Sequence, residues 1–107
     1  METPFNITNN NEIIGTCISV QENDNIYEIN DVFIKEQYRG KGYGYKLIMS
    51  VIDYYRVNGG VNREINKKII IKISTEIINI PAVNLYKKIF GEPYRSDSRY
   101  NYYCIYL

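Results

Sequence analysis

The segment Lys35–Ile48, KEQYRGKGYGYKLI, places glycines at every second position, Gly40, Gly42 and Gly44, just before an apolar run with helical spacing. Glycine disfavours a helix by about 1 kcal/mol relative to alanine, so these positions predict a sharp turn or a close approach of the backbone to a ligand. A glycine-rich turn between a strand and a helix presents several backbone N–H groups to an anion such as phosphate. The loop alone leaves two interpretations open: a phosphate site supplemented by neighbouring basic residues, or a connector without a ligand.

Two other kinds of phosphate loop do not fit this segment. A Walker A loop has Lys-Ser or Lys-Thr after its last glycine, whereas Tyr45 and Lys46 follow Gly44. A dinucleotide-binding loop has the spacing GxGxxG and an acidic residue about 20 positions later, whereas the third glycine here comes one position too early. The sequence therefore predicts neither of these nucleotide sites.

The composition excludes several kinds of chemistry and partner. The chain has no histidine and only two cysteines, Cys17 and Cys104, which excludes the familiar zinc patterns and a histidine-based nucleophile relay. We expect no metal site and two reduced cysteines packed in strands. A net charge of +1 provides no basic field for nucleic acid, and no apolar run approaches the ~20 residues that span a bilayer. Because the start METPFNITNN is no signal peptide, we expect an intracellular, cytoplasmic protein with neither a nucleic-acid nor a membrane partner.

The elements that position the glycine loop can be predicted from the residue pattern. Pro4–Thr8 and Glu12–Val20 are β-branched, apolar runs joined by an asparagine triplet, which predicts a hairpin. Ile26–Ile34 predicts a strand that is buried over much of its length. After the glycines, apolar residues recur on one helical face as far as Asn58, where Gly59 and Gly60 end the helix.

The second half of the chain predicts a strand and a second helix. A polar connector, Asn58–Lys67, leads into Lys68–Ser74, whose nearly continuous isoleucines predict a central strand covered on both faces. Asn79 is a candidate N-cap, with Pro81 in the first helical turn and Gly91 at the helix end.

The chain closes with Arg99–Leu107, an aromatic and β-branched strand, after a short strand near Pro93–Ser96. The order is therefore β-β-β-α-β-α-β, within a single domain over residues 1–107. This order predicts an α+β fold with a mixed, mostly antiparallel central sheet and helices packed on it.

Two segments resemble motifs of the GNAT superfamily of N-acetyltransferases. The family's acetyl-CoA-binding core reads Arg/Gln-x-x-Gly-x-Gly/Ala, which Arg39, Gly42 and Gly44 match. Asn79–Phe90, NIPAVNLYKKIF, resembles the family's N-x-x-A-x-x-L-Y helix in residue type and spacing. The two motifs occur in the family's order, separated by a helix and an apolar strand, and the resemblance covers about residues 4–107.

The resemblance implies a GNAT-like acyl-CoA N-acyltransferase fold with acetyl-CoA as co-substrate. In this family the glycine loop cradles the pyrophosphate, and the preceding strand offers backbone groups to the pantetheine arm in a V-shaped gap between two strands. The asparagine of the second motif hydrogen-bonds the same arm. The cofactor-binding residues implied in this chain are Val32, Phe33, Ile34, Arg39, Gly40, Lys41, Gly42, Tyr43, Gly44, Tyr45 and Asn79.

The resemblance also implies acyl transfer to a primary amine by direct attack in a ternary complex. Deprotonating a lysine-like amine of pKa ~10.4 at pH 7 costs roughly 4.6 kcal/mol, which a general base and a dry site must offset. By analogy with the family, Tyr86 is the general acid for the leaving thiolate, and a backbone amide polarises the thioester carbonyl. The other interpretation of Tyr86 is an aromatic residue on a buried helix face.

Glu28 occupies the place of the general base in the histone-acetyltransferase branch of the family. Simple strand alternation puts Glu28 on the same side as Val32 and Ile34, with the competing carboxylate Asp31 on the opposite face. A solvated strand glutamate without a catalytic part is the alternative.

The chain departs from the family pattern at two places. Family members normally begin with a strand and two helices, whereas this chain starts at the hairpin Pro4–Val20, so we expect an N-terminally truncated form. Its acceptor site would then be open, completed by another subunit, or inactive, and its first strand would be an exposed sheet edge suited to a homodimer. Phe90-Gly91 also replaces the usual Gly-Phe at the helix end.

The leading hypothesis is an acetyl-CoA-dependent N-acetyltransferase acting on an amine-bearing acceptor. The sequence does not decide among a protein, a peptide, a polyamine and another small molecule as acceptor. The alternatives are a non-catalytic acyl-CoA-binding or interaction module on the same fold, and a domain without a ligand.

Overall fold

The computed structural model describes residues 1–58 and 68–107. Within these ranges the strands and helices follow the predicted order, and a short 3-10 turn, Glu36–Tyr38, precedes the first helix. The elements are β1 (Glu2–Asn9), β2 (Glu12–Asn23), β3 (Ile26–Ile34), α1 (Tyr43–Asn58), β4 (Ile70–Glu76), α2 (Ile80–Phe90), β5 (Arg95–Ser96) and β6 (Tyr100–Tyr106).

The strands form one sheet in the order β1-β2-β3-β4-β6-β5. β3 and β4 pair in parallel, as their α1 crossover requires, and the other neighbours pair antiparallel. The predicted α+β fold with a mixed, mostly antiparallel sheet is confirmed. The predicted connector Asn58–Lys67, with its glycine stop, lies outside the described residues after Asn58.

The β1–β2 hairpin turns through Asn10 and Asn11, whose φ angles of 51° and 67° suit a tight two-residue loop. β1 is the edge strand that the sequence predicts. The Met1 carbonyl accepts from the Gln21 N–H at 3.0 Å, so the backbone groups of Met1 point toward β2. Because this direction alternates from residue to residue along a strand, the backbone groups of Pro4 point away from the sheet. Proline has no N–H to offer there, which disfavours continuous pairing along this edge, and the homodimer stays a prediction.

Both helices pack on one face of the sheet, which we call the helix-bearing face. α1 buries Leu47, Ile48, Val51, Ile52 and Tyr55, and α2 buries Tyr86. They meet the buried sheet residues Tyr27, Ile29, Ile71, Ile73 and Tyr103.

The opposite face, which carries Lys72, Ser74 and Glu76, we call the open face. These side chains are half-buried, and none of the described helices packs on them. The prediction that β4 is covered on both faces is therefore wrong for the described part of the chain. The nearly continuous isoleucines correctly predicted that β4 is central in the sheet, but they wrongly predicted a covering layer on each face.

A β-bulge interrupts β3. The register with β2 shifts between Asn30 and Phe33, so that Asp31 and Val32 together oppose Cys17, and Asp31 has a φ of 57°. Before the bulge Tyr27 and Ile29 face the helices, whereas after it Val32 and Ile34 pack against the same core.

The prediction that Glu28 shares a face with Val32 and Ile34 is therefore wrong. Glu28 pairs in register with Lys72 and lies on the open face. The extra residue at the bulge exchanges the two faces over the rest of β3.

β3 and β4 separate after a short paired stretch. The parallel register joins Ile26, Tyr27 and Glu28 to Ile70, Ile71 and Lys72, and it ends there. The rest of both strands diverges, which forms the expected V-shaped gap with Glu28 at its apex. Neither described helix is long and apolar enough to cross a membrane.

Candidate active site

A cavity of about 740 Å³ lies on the helix-bearing side of the V, between the end of β3, the glycine loop and α2. Its lining combines backbone-rich positions with apolar and aromatic side chains. The lining residues are Val32, Phe33, Ile34, Tyr38, Arg39, Gly40, Gly42, Gly44, Tyr45, Asn79, Pro81, Ala82, Leu85, Tyr86 and Lys88.

The three glycines of the loop serve different purposes. Gly40 and Gly42 have φ angles of 75° and 88°, a backbone conformation that side chains rarely tolerate. Gly44 lies inside α1, and a Cβ there would come within 3.2 Å of the Leu85 side chain on α2. The first two glycines therefore shape the turn, while the third lets the two helices pack closely.

The start of α1 presents backbone donors that have no partner among residues 1–58 and 68–107. The Lys46 N–H donates to the Gly42 carbonyl at 3.1 Å, which makes the first helical hydrogen bond. The N–H groups of Tyr43, Gly44 and Tyr45 precede it and have no intrahelical acceptor. Together with the positive end of the helix dipole, they form an anion-binding geometry at the cavity.

Two cationic side chains line the cavity. Arg39 donates from Nε to the Ile34 carbonyl at 2.8 Å, and its guanidinium carbon lies 5.4 Å from the centre of the Phe33 ring. Arg39 thus ties the loop to the end of β3. Lys88 reaches the cavity from α2, with its Nζ 5.0 Å from the centre of the Tyr45 ring. The field at the cavity therefore suits an anionic ligand.

Glu12 anchors the base of the loop to β2. Its carboxylate accepts from Lys35 Nζ at 2.8 Å and from the Tyr38 hydroxyl at 3.2 Å. The hydrogen bonds from Lys35 and Tyr38 hold the pKa of this carboxyl below its usual value. The anchor fixes where the chain enters the glycine turn.

Tyr86 lies at the inner wall of the cavity and is only 6% exposed. Its ring packs edge-on against Phe90 and Tyr103. Its hydroxyl has no hydrogen-bond partner in the described part of the chain, yet no unpartnered side-chain polar atom there is fully buried. The hydroxyl is therefore the accessible end of the side chain.

Burial raises the pKa of Tyr86 to about 12, with smaller contributions from Cys17 and Tyr103. The phenol therefore keeps its proton throughout the physiological pH range.

Asn79 is the predicted N-cap of α2. Its Oδ1 accepts from the Ala82 N–H at 3.3 Å, and Pro81 occupies the first helical turn. Because the side-chain oxygen is used in capping, the Nδ2 group is the donor available to a ligand in the cavity.

Glu28 does not line this cavity. The side-chain amide of Asn30 is oriented with its nitrogen toward acceptors, and it donates to Glu28 Oε1 at 3.2 Å. Glu28 lies on the open face at the apex of the V, beside Lys72. Glu28 and the cavity therefore lie on opposite faces of the sheet.

The structure brings together most of the site residues predicted from the sequence. Those that line the cavity are Val32, Phe33, Ile34, Arg39, Gly40, Gly42, Gly44, Tyr45, Asn79 and Tyr86. Lys41, Tyr43 and Glu28 lie outside its lining. The Tyr43 ring instead packs edge-on against Tyr38 and lies 5.3 Å from Lys46 Nζ.

The sequence predicted no site role for the other lining residues, Tyr38, Pro81, Ala82, Leu85 and Lys88. Ala82 and Leu85 could have been found, since both belong to the second motif, and Lys88 lies three residues after Leu85 on the same helical face. Tyr38 carries no comparable signal, because its position depends on the contact with Glu12. Among residues 1–58 and 68–107, no group of three or more cysteine, aspartate and glutamate side chains could hold a metal ion.

Comparison with known proteins shows that the chain matches one protein family. The model of the acetyltransferase (GNAT) family matches residues 2–91. A search of the curated proteins finds no match.

Solved structures with the same fold include a GNAT family acetyltransferase from Elizabethkingia anophelis with acetyl-CoA bound. It has a TM-score of 0.72 and 19% sequence identity, and the match covers 94% of this chain and 72% of that one. The ribosomal-protein-S18-alanine N-acetyltransferase from Escherichia coli has a TM-score of 0.76 and 16% identity, over 99% and 69% of the two chains. The PaiA N-acetyltransferase from Thermoplasma acidophilum, in complex with coenzyme A, has a TM-score of 0.81 and 12% identity, over 99% and 61%. At these identities the likeness concerns the fold.

Proposed function

Since the chain belongs to the acetyltransferase (GNAT) family, we propose that it is an acetyl-CoA-dependent N-acetyltransferase that transfers an acetyl group to a primary amine. The observation that carries this proposal is that one cavity contains the glycine turn, the Asn79 side chain and the Tyr86 side chain. These residues come from distant parts of the chain and supply an anion site, an amide donor and a proton-bearing phenol.

The groups around the cavity would suit the pyrophosphate and the pantetheine arm of acetyl-CoA. The free N–H groups of Tyr43, Gly44 and Tyr45 would hold the pyrophosphate, and Lys88 would add positive charge. Val32 and the N–H of Ile34 would offer backbone groups to the pantetheine arm, because the Lys35 N–H···Ile14 hydrogen bond places the Phe33 backbone against β2 and the Ile34 carbonyl already accepts from Arg39. Asn79 Nδ2 would donate to the same arm. The bound co-substrate supplies an acyl thioester, which the amine attacks directly.

Tyr86 would act on the leaving sulfur. A thiol has a pKa of about 8.5, so complete proton transfer from a phenol of pKa about 12 is uphill by ~5 kcal/mol before the ligand changes either group. The phenol therefore acts first as a hydrogen-bond donor that stabilises the developing negative charge, and the proton follows as the bond breaks.

Glu28 would accept the proton of the incoming amine from the opposite side of the V. Its place on the open face separates it from the acyl-donor cavity, so the amine would approach through the gap between β3 and β4. The hydrogen bond from Asn30 would hold the carboxylate in place.

Thiol release from acetyl-CoA, measured with a panel of primary amines, tests this proposal. We expect turnover with the wild-type chain, and we expect Tyr86→Phe and Glu28→Gln each to lower kcat about 100-fold. The affinity for acetyl-CoA should stay within about threefold, because the phosphate loop and Asn79 are untouched.

Tyr54→Phe serves as a control, since Tyr54 is a half-exposed residue that packs on Phe5 away from the cavity. Unchanged turnover in Tyr86→Phe refutes its role at the sulfur. Binding of acetyl-CoA without turnover of any amine would instead identify a non-catalytic acyl-CoA-binding module.

A further inference from the structure

A second cavity, of about 500 Å³, lies at the carboxyl end of β4. It is lined by Thr75, Glu76, Ile78, Asn79 and Tyr100. Asn79 lines both cavities, so the second adjoins the proposed acyl-donor site. The proposed mechanism uses none of the other lining residues.

The polar side chains of this cavity belong to the open face. Glu76 pairs in register with Tyr100, and such partners share a face of the sheet. Glu76 also shares its face with Lys72, which pairs with Glu28. The second cavity therefore lies on the same side of the sheet as the proposed base, where the amine would approach.

A cation of the chain itself already contacts the two polar groups of this cavity. Arg99 Nη2 lies 4.0 Å from Glu76 Oε2, and the guanidinium carbon lies 5.6 Å from the centre of the Tyr100 ring. The 4.0 Å separation is too long for a hydrogen bond, and the Arg99 side chain is 70% exposed. The contact is thus a loose one that another cation could replace.

The neighbouring Arg95 provides a comparison within the same hairpin. Its guanidinium carbon lies only 4.3 Å from the centre of the Tyr102 ring, and its Nη2 lies 3.9 Å from Asp97 Oδ2. Asp97 also accepts from the N–H groups of Arg99 and Tyr100 and from the Tyr102 hydroxyl. Arg95 therefore belongs to the turn, whereas Arg99 reaches the lining of the second cavity.

We propose that Glu76 and Tyr100 form a subsite for a positive charge of the acceptor, and that the Arg99 side chain competes for this subsite. A carboxylate beside an aromatic face suits an ammonium or a guanidinium group. This inference rests on the proposed function, because it concerns the acceptor of the same reaction.

The subsite also defines the class of acceptor. The attacking amine must be neutral, and a carboxylate that held it as an ammonium would oppose the reaction. Glu76 therefore serves a second basic group on the acceptor. The acceptors that fit are molecules with at least two basic groups, such as a diamine or a basic peptide.

A protein-detected NMR titration tests the subsite with two matched probes, hexylamine and 1,6-diaminohexane. The wild-type chain should bind the diamine more tightly than hexylamine by more than the statistical factor of two. Glu76→Gln should remove this preference, and Arg99→Ala should strengthen diamine binding about two- to fivefold while hexylamine binding is unchanged. Added salt should weaken the diamine preference.

Arg95→Ala is the matched control, since it removes the same charge from the same hairpin and should change neither affinity. Equal binding of the two probes by the wild-type chain overturns the inference, as does a diamine preference that survives in Glu76→Gln. Acetyl-CoA is titrated into the same samples. If the proposed function is wrong, acetyl-CoA does not bind in this titration. If only the subsite is wrong, acetyl-CoA still binds.

Discussion

At the scale of single residues, two buried ionisable side chains, Cys17 and Tyr86, have strongly raised pKa values. Cys17 is 2% exposed, and its burial raises the thiol pKa from 9.0 to about 11. Tyr86, whose pKa is raised from 10.0 to about 12, is close enough for Cys17 to contribute to that shift. Both groups are held in their neutral forms, because burial disfavours the charged form of a thiol or a phenol.

These shifts predict a loss of stability at alkaline pH. A folded-state pKa above the unfolded value means that the stabilisation is fully present below the unfolded pKa and is lost as pH rises through the folded pKa. For Cys17 this window runs from about pH 9 to about pH 11. The free energy of unfolding should fall across it by up to ~2.7 kcal/mol more in the wild-type chain than in Cys17→Ala.

Urea unfolding at a series of pH values measures this difference. The cavity that Cys17→Ala leaves lowers stability equally at every pH, so the slope against pH carries the information. Equal slopes for the two proteins between pH 9 and 11 would show that the thiol is not buried as described.

The sequence predicted a sharp turn at the glycines, which is correct for Gly40 and Gly42, but it did not predict the role of Gly44. Regular spacing identified Gly40, Gly42 and Gly44 as one loop. Positive φ angles explain the first two, while Leu85 on α2 explains the third. A contact between two helices cannot be read from one of them alone.

At the scale of elements, the packing of α1 on α2 depends on Gly44. A side chain there would meet Leu85, and even a Cβ would lie 3.2 Å from Leu85 Cδ2. We expect Gly44→Val to lower the free energy of unfolding by about 1–3 kcal/mol, since it overpacks this contact. Chemical denaturation of the variant and the wild-type chain measures the change.

The double variant Gly44→Val, Leu85→Ala isolates that contact. The cost of valine should shrink by at least about 0.5 kcal/mol when Leu85 is shortened, because the two side chains then no longer compete for the same space. If the effects of the two substitutions on the free energy of unfolding are simply additive, the cost of the valine comes from the turn before α1 and not from the contact between the helices.

The bulge in β3 shows where prediction from an isolated element fails. Alternation along Ile26–Ile34 predicted one face for Glu28, Val32 and Ile34, and Asp31 exchanges the faces midway. No residue in β3 signals the bulge. The position with positive φ is occupied by Asp31 rather than by a glycine, and the extra residue is defined only by the pairing with β2. The strand itself was nevertheless predicted with the correct ends.

At the scale of the whole molecule, β3 and β4 diverge after Glu28 and Lys72, and the proposed mechanism uses the two faces of the sheet as separate approaches to one reaction centre. The glycine turn and Tyr86 lie on the helix-bearing side, while Glu28, Glu76 and Tyr100 belong to the open face. Element order and the parallel pairing could be predicted from periodicity, because a β-α-β segment requires a crossover. The second cavity could not be predicted from the sequence, because the pairing of β4 with β6 brings its lining residues together from distant positions.

Calorimetric titration of acetyl-CoA into the wild-type chain, Gly42→Glu and Gly91→Glu tests the central claim most directly. Gly91 is the matched control, since its φ of 84° resembles that of Gly42 and a Cβ at either position meets nothing within 4 Å. Both variants therefore incur a similar conformational cost, but only Gly42→Glu places a negative charge in the proposed phosphate loop.

We expect micromolar binding by the wild-type chain and by Gly91→Glu, and at least about tenfold weaker binding by Gly42→Glu, because its carboxylate repels the pyrophosphate. At about 100 times Kd, acetyl-CoA should add about 2.7 kcal/mol to the stability of the proteins that bind it. A folded wild-type chain that does not bind acetyl-CoA, or a Gly42→Glu variant that binds it as tightly as Gly91→Glu does, would contradict the proposal that this loop holds an acyl-CoA.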